Sequence, residues 1–320
     1  MPFPAEMPRT IDFAQIPGVR IGHATTPDGS SGVTVVRFDR ARPTVVDVRG
    51  GASATYDIGS LSLDATFGRR WAIFFSGGSL YGLDAARGIR TRLLEEGEGQ
   101  RAFHNPNRVV PIAGATLFDL PASERAIPDY VPLGYEAARA AHRSAVGSGP
   151  IGAGAGATVG KYLGRARAMR GGLGSAADRL PGGGTVGVVV VVNSVGAVRE
   201  PRTGAWVAGA RGAGGRIAPP RFAAGGAVAG SHTTLAVVVT DVTVARPGLQ
   251  RIAANVSTGL ARVIVPFHTS VDGDLVFAVS TEQRTAPRGE RRPGEIVDRI
   301  GIRAAELAAR AAVRAVRPRR

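Results

Sequence analysis

The sequence predicts a mixed α/β fold, on three observations. Short runs of β-branched and aromatic residues alternate with stretches of helical periodicity along the whole chain, without an internal repeat. One run, residues 185–193 (TVGVVVVVN), is apolar almost without a break, as expected of a central strand buried on both faces. The chain has 320 residues, 44% of them hydrophobic, which suffices for a sizeable core in one large domain or two modest ones.

The elements follow in order. Residues 32–38 (GVTVVRF) and 44–48 (TVVDV) read as strands, and Arg49-Gly50-Gly51 then breaks the chain. Residues 71–75 (WAIFF) read as a buried strand. It runs into Ser76-Gly77-Gly78-Ser79 and a helix through Leu83, Ala86, Ile89 and Leu93 to Glu96. A strand, glycine turn and helix can offer backbone N–H groups to a ligand, which makes Gly77, Gly78 and Ser79 candidate substrate-binding residues. Tight packing of strand on helix explains the same glycines equally well.

Residues 147–160 are rich in glycine and alanine and end in GAGAGATVGK. A phosphate loop needs glycine where Ala155 stands, and Ser or Thr where Tyr162 follows the lysine, so nucleotide binding is rejected. A flexible or closely packed loop that delivers Lys161 is expected instead. Residues 197–230 read as a loop or linker. Ser231-His232-Thr233-Thr234 then leads into a second buried strand (LAVVVTD), followed by a helix over residues 247–265. His268-Thr269-Ser270-Val271-Asp272-Gly273-Asp274 precedes a strand over 275–280. Ile296, Ile300, Leu307 and Val313 recur at helical spacing near the C-terminus.

The formal charge is +15, yet only one of the 40 basic residues is a lysine, Lys161. Between Arg284 and Arg320 stand eleven arginines against four acidic residues. A basic protein that binds anionic polymers is one reading of that stretch. A solvated helix with a basic face is the favoured one, since no aromatic residues interleave with the arginines, and nucleic acid is not expected as a partner. The N-terminus lacks the pattern of a signal peptide and the apolar runs are too short to span a bilayer, so a cytoplasmic protein without membrane contact is expected.

The absence of cysteine excludes disulfides, thiolate metal sites and a cysteine nucleophile. Neither a G-x-S-x-G elbow nor an H-E-x-x-H zinc motif occurs, so the five histidines (His23, His104, His142, His232, His268) give little support to histidine-centred hydrolysis. A threonine can supply its own base. Cutting the chain before Thr233 would place a free α-amine, with an ordinary pKa of roughly 8, beside the threonine hydroxyl. From the local pattern alone, Thr233 and Thr234 read more simply as β-formers opening a strand.

The motifs PGVRIGH (17–23), GVTVV (32–36), VDVRGG (46–51), SGGSLYGLDAARGI (76–89), GAGAGATVGK (152–161), HTTLAVVVTD (232–241) and HTSVDGDLVFAVST (268–281) run nearly the whole length of the chain. Together they resemble the self-cleaving aminopeptidase family of the L-aminopeptidase/D-esterase and β-peptidyl aminopeptidase type, which includes the nylon-oligomer hydrolases. The resemblance implies a four-layer αββα sandwich, like that of N-terminal nucleophile hydrolases but with different connectivity. It implies one domain over residues 1–320, cut between His232 and Thr233 into a 232-residue α chain and an 88-residue β chain.

By the same resemblance Thr233 matches the nucleophile, and Lys161 a catalytic lysine bonded to it. Asn193 matches an oxyanion-binding asparagine, and Asp272 and Asp274 a pair orienting the new ammonium group and the hydroxyl. Phe118 matches a tyrosine near the substrate and lacks its hydroxyl. His232 stands where threonine-type members usually carry asparagine. The implied activity is that of an aminopeptidase or amidase on short peptides, amides or esters, in a tetramer or larger homo-oligomer, with no metal or organic cofactor. A nylon-oligomer-type endo-amidase and an acyl transfer like that of ornithine acetyltransferase are the enzymatic alternatives.

Overall fold

The computed structural model describes residues 9–101, 105–120, 126–220, 232–286 and 294–317. Its centre is a ten-stranded sheet folded on itself. The strands are β1 (Arg9–Ile11), β2 (Val19–Thr25), β3 (Gly32–Val48), β4 (Ala54–Tyr56), β5 (Arg69–Ser76), β6 (Ile112–Thr116), β7 (Gly172–Arg179), β8 (Thr185–Asn193), β9 (Thr233–Val242) and β10 (Leu275–Arg284). They lie in the order β1-β7-β8-β9-β10-β3-β5-β6-β4, with β2 paired to β3. Only β9–β10 and β5–β6 are parallel within this sheet.

The two runs expected as separate strands, 32–38 and 44–48, are one continuous strand of 17 residues. Its first half pairs with β2 and β5, and its second half with β10, with the register broken between Arg37 and Arg42. β3 therefore bends from one half of the sheet into the other and lets the halves face each other. At the bend Arg42, fully buried, donates to Asp39.

Strand alternation then builds four layers. Between the sheet halves pack Val36, Ile73, Phe75 and Ala115 of one against Val189, Val191, Leu235, Val237 and Phe277 of the other. The opposite face of β8 and β9 (Val188, Val190, Ala236, Val238) is covered by α3 (Arg246–Ala261) and α4 (Glu295–Val316). Phe74, Val33 and Val35 are covered by α1 (Ala85–Glu95) and α2 (Tyr130–Arg139). This is the αββα sandwich that the resemblance implies.

Three local expectations change. The helix after the glycine turn begins with a 3₁₀ segment, Ser79–Asp84, before α1. The stretch 197–230 is not plain linker: Ala197–Arg199 pairs with Trp206–Ala208 and with Ile264–Val265. Its last part, 221–230, lies outside the described residues, as do Ser231 and the basic tail 318–320. The arginines of α4 are half-buried or exposed, and several are paired rather than simply solvated. Arg303 and Arg310 reach the buried Asp178 on β7, and Arg314 donates to the Ser175 carbonyl at 2.8 Å. Among the described residues no helix is long and apolar enough to cross a membrane.

Candidate active site

The last residue of β8 is paired with the first of β9: Asn193 lies opposite Thr233. Val189, Val191, Leu235 and Val237 point between the sheet halves, so alternation sends the Asn193 and Thr233 side chains the same way, at the end of the inner layer. Both residues are buried.

The Asn193 amide is held from three sides. Its Oδ1 accepts from Lys161 Nζ at 2.8 Å and from the Thr158 amide at 3.0 Å, while its Nδ2 donates to the Phe118 carbonyl at 3.2 Å. Two donors on the oxygen and one acceptor at the nitrogen fix which end is which. They leave the second Nδ2 hydrogen able to donate to a further acceptor.

Lys161 is delivered by a close-packed loop, as one of the two expected readings has it. Gly160 adopts φ +77°, and a Cβ there would lie 2.1 Å from the Gly209 backbone. The Lys161 ammonium donates to Thr158 O and Asn193 O, each at 2.9 Å, and to Asn193 Oδ1. Those three bonds use its three hydrogens. The expected bond to the Thr233 hydroxyl is not among them, because Lys161 is committed to Asn193 and the Thr158 carbonyl instead. Burial pushes its proton affinity well below the ordinary lysine value, Arg165 lowers it further, and Asp272 and Asp119 oppose the fall.

The D-G-D segment faces Thr233 from the β10 side. Asp274 Oδ1 accepts from the Thr234 amide at 2.6 Å, and Oδ2 from the His268 amide at 3.0 Å, with His268 Nδ1 3.1 Å away. Asp272 Oδ2 accepts from the Thr269 amide and hydroxyl. Asp272 Oδ1 is buried without a hydrogen-bond partner. Burial, then the charge of Asp274, raises the Asp272 carboxyl, and the Thr269 hydroxyl, then the Thr269 and Val195 amides, ease the shift.

His232 is buried and neither ring nitrogen has a partner. Burial, with Lys161 and Arg165 nearby, lowers its pKa to about 3, so the ring is neutral. His232 thus offers no titratable base near neutral pH beside Thr233.

Gly77, Gly78 and Ser79 do not offer free amides. Their N–H groups go to Gly32 O, Asp119 Oδ1 and Leu117 O at 2.9, 2.7 and 2.9 Å. A Cβ on Gly77 would lie 2.1 Å from both Ser31 Oγ and Asp119 Oδ2. The turn spends its amides within the fold, so the backbone cradle that the sequence suggested is not open to a ligand through those N–H groups. Phe118 does reach the site, but through its carbonyl on Asn193, while its ring carries the Arg165 guanidinium 5.8 Å from the centroid. Sequence reasoning missed Asp119, the residue next to it, whose carboxyl grips Gly78 and Ser31 Oγ, the latter at 2.8 Å. Adjacency to Phe118 was the only signal for it. Among the described residues no group of three or more acidic or histidine side chains could hold a metal ion.

The family model for peptidase family S58 matches residues 12–318. An uncharacterized aminopeptidase of Mycobacterium leprae is 38% identical over 292 residues, covering 84% of this chain and 78% of its own. A 6-aminohexanoate-oligomer endohydrolase of Agromyces sp. is 33% identical over 308 residues, covering 92% and 80%. The solved structure of the L-aminopeptidase D-Ala-esterase/amidase from Ochrobactrum anthropi superposes with a TM-score of 0.69 at 17% identity, over 98% of this chain and 88% of that one, which shows a shared fold. The chain therefore belongs to peptidase family S58 and is a hydrolase of that family.

Proposed function

We propose that the chain is a self-processing N-terminal-threonine hydrolase, a single domain cut between His232 and Thr233 into chains of 232 and 88 residues. The observation that carries this reading is the surround of Thr233. It stands buried opposite Asn193, whose amide is locked, and its hydroxyl lies against Gly273 between the buried carboxyls of Asp272 and Asp274, which would orient a new α-ammonium group.

In the first step the Thr233 hydroxyl attacks the His232 carbonyl. The C–N bond breaks, the hydroxyl proton ends on the leaving nitrogen, and water opens the resulting ester to a His232 carboxylate and the free hydroxyl. In turnover the Thr233 α-amine takes the hydroxyl proton as the oxygen attacks a substrate amide or ester. Asn193 Nδ2 holds the oxyanion, the amine leaves with that proton, and water releases the acyl group. Lys161 fixes Asn193 and supplies a titratable amine beside it.

The substrates are short peptides, amides or esters. The aminopeptidase reading follows the mycobacterial relatives. An endo-acting amidase follows the 6-aminohexanoate-oligomer hydrolases, of which one is 33% identical. The cut enzyme works in the cytoplasm as a homo-oligomer of four or more copies. Denaturing mass analysis tests the core of this proposal: two fragments meeting at His232/Thr233, and a single chain for Thr233→Ala, are expected. An intact wild-type chain after long incubation would overturn it. Aminoacyl amides and linear amide oligomers, assayed side by side, separate exo from endo action, and light scattering reads the assembly.

A further inference from the structure

The motif VDVRGG has no part in the chemistry described so far, yet its glycines lie directly against the D-G-D segment. The Asp274 carbonyl accepts from the Arg49 and Gly50 amides, both at 3.0 Å, and the Asp272 carbonyl accepts from the Ala52 amide at 2.9 Å. A Cβ on Gly50 would lie 2.3 Å from both Asp272 O and Asp274 N, so only glycine lets the two segments meet. With Asp272 tied to Thr269 and Asp274 to His268 and Thr234, both peptide units around Gly273 are fixed at either end.

What this frame presents is the Gly273 N–H. It donates to the His232 carbonyl oxygen at 2.6 Å. That carbonyl therefore points toward β10 and away from β8, where Asn193 stands. The Thr233 hydroxyl sits over the same glycine: a Cβ on Gly273 would come 2.7 Å from Thr233 Oγ1, with Ala52 O at 3.0 Å closing the other side. One residue thus touches both the attacking oxygen and the oxygen that becomes negative.

We propose that the backbone amide of Gly273 is the oxyanion donor of self-cleavage, held in place by the Arg49-Gly50-Gly51 segment, and that the missing Cβ at Gly273 is what admits the nucleophile. This rests on the reading that the His232–Thr233 bond is cut. As Thr233 Oγ1 bonds to the His232 carbon, the carbonyl electron pair moves onto the oxygen facing Gly273. It returns when the C–N bond breaks and the nitrogen takes the hydroxyl proton. A donor already in position needs no reorganisation during that rise in charge.

Cell-free synthesis allows Gly273 to be replaced by glycolic acid, which turns its amide into an ester and deletes the N–H without adding an atom. Time-resolved intact mass should show cleavage slowed by about 10²–10³-fold against the wild type. Gly273→Ala keeps the N–H but places a methyl group against Oγ1, and should also stay largely uncut. Thermal unfolding reads the fold of both. A wild-type chain that never splits defeats the underlying reading. A wild type that splits, with the ester variant splitting as fast, overturns this assignment alone. Should the ester variant fail to fold, Gly273→Ala decides, and an unchanged rate there overturns the contact on which the assignment stands.

Discussion

Lys161 Nζ stands 2.8 Å from Asn193 Oδ1 and 2.9 Å from the Asn193 backbone carbonyl, so the only lysine in the chain is bonded to one asparagine twice. Every other basic residue is arginine. Lys161→Arg tests why this one is not. The site is buried, three acceptors match the three hydrogens of an ammonium, and a planar guanidinium neither fits that arrangement nor gives up a proton. For a chain that still splits and folds, kcat/KM on an aminoacyl amide should fall by about 10²-fold or more. Full activity would mean that neither the titratable amine nor its geometry matters.

The sequence carried much of this. The apolar run 185–193 is β8 to the residue, and the D-G-D segment and GAGAGATVGK loop both reach the site. What was hidden depends on distant contacts. The bend in β3 is set by which partner each half finds, so 32–48 looked like two strands. The hydrogen bonds of Lys161 could not be read from spacing, because Asn193 is 32 residues away and arrives through sheet pairing. Gly77 and Gly78 read equally well as substrate binders and as packing glycines, because the local pattern is shared. Asp119, 41 residues beyond Gly78, and the Gly32 carbonyl take those amides instead.

His232 is predicted to contribute shape and no chemistry. Its two ring nitrogens are buried without partners, and the ring is neutral down to pH of about 3. Replacing unpaired buried polar groups with an apolar ring of similar size is near neutral or stabilising. His232→Phe should therefore split at a rate within a few-fold of wild type, and unfold in urea at an equal or higher midpoint. An uncut His232→Phe chain that folds normally would show that the imidazole takes part.

Asp119 should leave a mark on stability. Burial raises its carboxyl to about 6, against the opposing bonds from Gly78 and Ser31. The ordinary value is about 3.9. Between those values the folded chain holds a proton that the unfolded chain has lost, so this group's contribution falls as pH rises from about 4 to about 6 and is level above that. The stability of wild type minus that of Asp119→Asn should decline across this window by as much as a few kcal/mol. Urea unfolding of both proteins at several pH values measures it. A difference that stays flat, or climbs with pH, contradicts the assignment.

Gly50 offers a prediction that separates packing from chemistry. A Cβ there meets backbone atoms of Asp272 and Asp274 at 2.3 Å, and backbone held by the Arg49, Ala52 and Thr269 bonds cannot yield as a flexible side chain could. Gly50→Ala should lower the unfolding free energy by about 1–3 kcal/mol, the range for overpacking a filled site. It should also slow the appearance of the 88-residue fragment, because the segment displaced is the one that positions Gly273. Gly59→Ala is the matched comparison: nothing lies within 4 Å of its Cβ, and it should unfold and split like the wild type. If Gly50→Ala matched Gly59→Ala in both measurements, the contact between the two motifs would be dispensable, and Gly50 would have to owe its place to something other than the D-G-D segment.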